Sequence, residues 1–165
     1  MTMILHYDGG SPLTGINFTP SGSGSNVAKL RLFWDDYSGG SAVTAAGSEL
    51  GDQWKPGVSG IYEIRASVHL LGAAGTGTTT LNVFAGVDAA DGTGVNYELY
   101  LIGSGLTSHV SPPITVSGGT TLSLGANDRV AIFVQSTGPA AAAVCGVMPG
   151  NPSVKTTFAS VTRVG

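Results

Sequence analysis

Residues 60–71 read GIYEIRASVHLL. Tyr62, Ile64, Ala66, Val68 and Leu70 alternate with Ile61, Glu63, Arg65, Ser67 and His69. Side chains along an extended backbone point to opposite faces in turn, so the first set forms an apolar core face. The second set forms a mixed face carrying an isoleucine, two opposite charges and a histidine. Working outward, the same punctuation recurs along the chain. Gly, Pro and β-branched residues return every eight to twelve positions, the spacing of an all-β sandwich or barrel. Strands are expected near 28–34, 60–71, 79–87, 96–102, 113–124, 128–136 and 154–164, with shorter ones near 3–7, 13–19 and 41–46. The segments GAAGTG, DAADGTG, SGG and GAND between them hold residues that tolerate tight turns. Helical periodicity is almost absent.

A chain of 165 residues is read as one sandwich domain, long enough to bury roughly 70% of the surface its unfolded form exposes. The first 26 residues differ from the rest. They contain two prolines and end in SGSGSN. Two readings fit them: a flexible arm at 1–26 ahead of a domain at 27–165, or a peripheral strand followed by a long loop.

Composition excludes several classes of function. Only 10% of residues are charged, against roughly 25% in typical soluble domains. The net charge of −3 comes from ten acids and seven bases scattered singly. Without a basic run, phosphate neutralisation is poorly served, and nucleic acid is not an expected partner. Low charge also leaves little to keep a single chain soluble, which points to a surface covered by a partner. The N-terminus lacks the basic and apolar regions of a cleaved signal, and no stretch approaches eighteen apolar residues, so no membrane partner is expected. The lone Cys145 cannot form an internal disulfide, and its apolar surroundings suit a buried, inert thiol.

A nucleophile needs a base in reach and a third group to orient that base. The bases are His6, His69 and His109, and no G-x-S-x-G elbow accompanies them. Asp35 and Asp36 are adjacent, so on a strand they face opposite sides. Asp88 and Asp91 lack the alternating carboxylates and distal Glu of a calcium loop. LGAAGTGTTT has no lysine after it and leads into a strand, so it is a hairpin and not a phosphate cradle. No catalytic residue, cofactor or metal is expected. Trp34, Tyr37 and Trp54 are the candidates for stacking on a glycan, since Trp34 and Tyr37 flank Asp35 and Asp36.

Three stretches carry a resemblance. GIYEIRASVHL resembles the G-x-Y-x-(F/I)-x-(A/Y)-x-V strand of C1q/TNF-like jelly rolls. TTLSLGANDRVAIFVQS is similar to that family's L-x-x-G-D-x-V-x-(L/I)-x-V hairpin, with Leu124, Asp128, Val130, Ile132 and Val134 in register and Asn127 in place of the usual Gly. VKTTFASVTRVG is similar to its last strand, with Phe158 as the aromatic. The resemblance implies an antiparallel jelly-roll β-sandwich that assembles as a homotrimer and works by binding. The Gly-, Ala-, Thr- and Val-rich sequence looks like the bacteriophage relatives of that fold.

That likeness implies a non-enzymatic virion structural protein, made in the host cytoplasm and placed on the capsid surface. There it would decorate and stabilise the assembled phage head by binding the major capsid protein. The alternative is a receptor- or glycan-binding tip of a phage fibre, using Trp34, Tyr37 or Trp54. In a trimer, Ile61, Glu63 and Arg65 would lie at the subunit seam, with Glu63 and Arg65 pairing across chains. A solvated outer face is an equal reading of the same residues, and a catalytic role for His69 is the third.

Overall fold

A computed structural model describes residues 2–6, 17–18, 26–29, 33–37, 41–43, 53–72, 78–88, 97–108, 114–137, 142–145, 147–148, 151–155 and 157–165. Side chains are described over 53–69, 78, 80–88, 97–106, 114–135 and 157–165. Among these residues every regular element is a strand: β1 (Thr2–His6), β2 (Asn17–Phe18), β3 (Asn26–Lys29), β4 (Phe33–Tyr37), β5 (Ser41–Val43), β6 (Gln53–Lys55), β7 (Gly60–Gly72), β8 (Thr78–Asp88), β9 (Glu98–Ser108), β10 (Ile114–Leu124), β11 (Arg129–Thr137), β12 (Ala142–Cys145), β13 (Val147–Met148), β14 (Asn151–Lys155) and β15 (Phe158–Arg163).

The strands form two sheets and a small β13–β14 ribbon. In the first sheet β7 is central. β10 pairs along its whole length on one side, while β15 and then β12 share the other. Beyond β15 come β1 and β4, and beyond β12 comes β2. The second sheet runs β5–β6–β11–β8–β9, with β3 also on β11. Every pairing is antiparallel. The chain crosses from one sheet to the other between β7 and β8, between β9 and β10 and between β10 and β11, which makes the two layers a jelly roll. Thr2–His6 and Asn17–Phe18, both inside the segment read as an arm, are hydrogen-bonded into the first sheet. Residues 1, 7–16 and 19–25 lie outside the described residues.

The alternation in β7 sets the core. Tyr62, Ile64, Ala66 and Val68 are buried, and they meet Leu81, Val83, Ala85, Val130, Ile132 and Val134 from the opposite sheet. Val116, Leu124, Ala159 and Val161 complete the first sheet's inner face. Trp54 and Tyr62 pack edge to face at 5.4 Å, and the Tyr62 hydroxyl donates to the Val58 carbonyl at 2.6 Å, so the phenol enters the core with its polar end satisfied.

One margin of the sandwich closes through glycine. Val83 pairs with Gly103 and Phe84 with Leu101, so Ile102 is an extra residue that bulges from the ladder and buries its side chain. A methyl group at Gly118 would come within 2.1 Å of the Ile102 carbonyl oxygen, and one at Gly105 within 2.8 Å of a Val116 methyl. The backbones of β9 and β10 pass this closely only because neither glycine carries a side chain. The β10–β11 turn follows turn chemistry. The Asp128 carboxylate accepts from the Gly125 amide at 2.7 Å, and the Asp128 amide donates to the Gly125 carbonyl at 3.2 Å.

Several expected strands differ from those observed. The 28–34 strand is two, β3 and β4. The 154–164 strand is also two, β14 and β15. β9 runs six residues past the expected end at 102. β6, β12 and β13 had no counterpart in the sequence reading.

A candidate functional site on the outer face of the first sheet

The second residue set of β7 lies on the outer side of the first sheet, and register aligns it with its neighbours. Phe158, Ser67 and Ser117 form one row across β15, β7 and β10. Ser160, Arg65 and Gly119 form the next, and Thr162, Glu63 and Thr121 the third, while Ile61 stands opposite Ser123. Thirteen residues of β7 and eleven of β10 make this a continuous platform. Its central rows border a groove of about 700 Å³, whose floor is low at Gly119, which carries no side chain on this face.

Two large apolar groups stand on the platform. Ile61 is 47% exposed and Phe158 is 42% exposed. Between them Arg65 donates to Glu63 at 2.8 Å. Residues two apart on a strand share a face, so this pair forms within one chain. The hydrogen bond to Glu63, and then its charge, hold the Arg65 guanidinium's pKa above its ordinary value. The pair brings the centre of the face close to electrical neutrality. At the C-terminal end, Ile61 is tied down by its amide to the Gly165 carbonyl at 2.9 Å and by its carbonyl to the Val164 amide at 2.8 Å.

His69 ends the platform. Its Nδ1 lies 3.1 Å from the Thr115 hydroxyl, and its backbone amide donates to Thr157 Oγ1 at 3.0 Å. Partial burial lowers its pKa from the usual histidine value, favouring the neutral ring. Among the described residues no carboxylate orients that ring, and no group of three His, Cys, Asp or Glu is placed to hold a metal ion. A base beside a threonine on an open sheet lacks the oriented third group that nucleophilic catalysis requires.

The structure sorts the residues singled out in the sequence. Ile61, Glu63 and Arg65 lie together on the platform. Trp54 does not reach a surface ligand: it is 1% exposed and packs inside against Tyr62, which corrects its reading as a glycan platform. Its phase on β6 sends the indole inward, while Gln53 points to the other side and bonds Tyr97. Trp34 and Tyr37 fall on β4, and their side chains lie outside the described residues, as do Cys145's side chain and all of Asp91 and His109. Asp88 is buried opposite Arg129. Phe158 is the site residue that the sequence reading passed over. The signal was present: Ala159 and Val161 are the inward positions of β15, which puts the aromatic at 158 on the outer phase.

No family description matches the sequence, and no curated protein is significantly similar to it. Solved structures are similar in fold. The Eiger TNF of S. frugiperda superposes with a TM-score of 0.57 at 13% identity, over 100% of this chain and 92% of that one. Murine APRIL at pH 8.5 gives a TM-score of 0.55 at 13% identity, over 99% of this chain and 100% of that one. The fold is therefore an all-β, antiparallel jelly roll of the TNF-like kind.

Proposed function

We propose that this chain is a non-enzymatic binding protein that assembles as a homotrimer through the outer face of its first sheet. The carrying observation is that platform. Ile61 and Phe158 stand exposed on a rigid surface of long, fully paired strands, and the charges between them are already paired within the chain. Exposed apolar groups on a rigid face are what an interface covers. Ile61, Glu63, Arg65 and Phe158 form the seam. Low overall charge supports the same reading, because solubility of the separate chain has little else to rest on.

The finer proposal is a capsid decoration protein of a bacteriophage head. It rests on the sequence resemblance and on the Gly-, Ala- and Thr-rich, weakly charged composition. Such a trimer binds the major capsid protein only in the assembled shell and stabilises it by mass action. Three equivalent contacts per trimer add avidity. The fibre-tip alternative has lost Trp54 from its stacking set.

Sedimentation equilibrium tests the assembly directly. Three chain masses, persisting on dilution to micromolar protein, are expected. Co-sedimentation with phage heads assembled without this chain then tests the capsid reading. A clean monomer overturns the seam, and a trimer that ignores assembled heads overturns the decoration role alone.

A further inference from the structure

We draw no further inference here: the strongest candidate, the surface patch of Leu99, Leu101 and Leu106 along the edge strand β9, carries nothing because nothing in the structure shows what covers it.

Discussion

Replacing Phe158 with alanine tests the proposed seam at its larger anchor. The residue is 42% exposed in the single chain, and a phenylalanine carries about 200 Å² of buriable surface. Covering that exposed part, about 85 Å², at about 25 cal/mol per Å² stabilises each seam by about 2 kcal/mol. A trimer holds three such contacts, about 6 kcal/mol in all, and every 1.4 kcal/mol or so is tenfold in an equilibrium constant. Phe158→Ala is therefore expected to raise the overall trimer dissociation constant by about four orders of magnitude. The midpoint concentration varies as the square root of that constant, so it moves upward about a hundredfold. Sedimentation equilibrium over a dilution series reads that midpoint. The single chain should still fold, since the ring lies outside the core, with a loss of unfolding free energy from the more than half of Phe158 already covered within the chain. A variant trimer with an unshifted midpoint would refute the reasoning.

Four further substitutions address the fold and the face. Gly118→Ala places a methyl against the Ile102 carbonyl and is expected to cost about 2 kcal/mol in denaturant unfolding. Gly119→Ala is expected to cost less, because its closest approaches, 3.0 Å to Arg65 Cγ and 3.2 Å to the Ile64 carbonyl oxygen, are far looser than the 2.1 Å at Gly118; equal losses would contradict the close approach of β9 and β10. His69 has a folded pKa below its unfolded one, so the unfolded chain takes up the proton more readily. Stability is then present above about pH 6.5 and falls as the solution is acidified through that value. His69→Asn should flatten thermal stability between pH 7.5 and 5 relative to the parent, and identical pH profiles would count against burial of the ring. Glu63→Gln should leave the melting temperature of the chain unchanged within error, since an ion pair this open to water contributes little. A fall of several degrees would mean that the pair is not open to water.

Elements with long, clean alternation were legible in the sequence. GIYEIRASVHLL gave β7 to within one residue at its end, and β10 and β11 were placed as closely. Where the reading failed, a contact between elements had overridden the local signal. The expected strand ends at Ile102, ahead of Gly103 and Gly105, yet β9 continues to Ser108. The glycines are there because β10 passes against them, a fact that local sequence does not carry. β6 is only three residues long, too short to show a period. β12 is drawn from a run of alanines with no alternation to read, and its place is set by pairing with the end of β7.

The candidate site was legible by phase alone. Ile61, Glu63 and Arg65 had to share a face once β7 was a strand. Arg65 closes on Glu63 of its own chain and not across chains as expected, because residues two apart on a strand share a face. What the spacing could not supply was the rest of the platform, because Phe158, Ser117 and Ser160 join it through registers set 90 and 50 residues away in sequence. Trp54 illustrates the opposite failure. Its chemistry suits sugar stacking, but its position beside Tyr62 makes it a core residue.

The chemistry of the platform also limits what can drive assembly on it. Ile61 lies six residues from Ser67, the partner of Phe158 in register, so the two apolar anchors stand about 20 Å apart along β7 at about 3.3 Å per residue. Between them lie Ser67, Ser117, Thr121 and Ser160 around the groove. Hydroxyls closed into a seam must keep hydrogen-bond partners, and a groove of about 700 Å³ has room for the water that provides them. The proposed seam is thus dry at its two ends and wet at its centre. Its one ion pair is satisfied within each chain, so association adds little Coulomb energy and releases few counterions. Ionic strength should therefore act weakly on the trimer, whereas a phosphate-binding surface shows a steep loss of affinity as salt rises. The free energy of assembly rests on Ile61 and Phe158, and the polar middle contributes the register that tells one orientation of the neighbour from another.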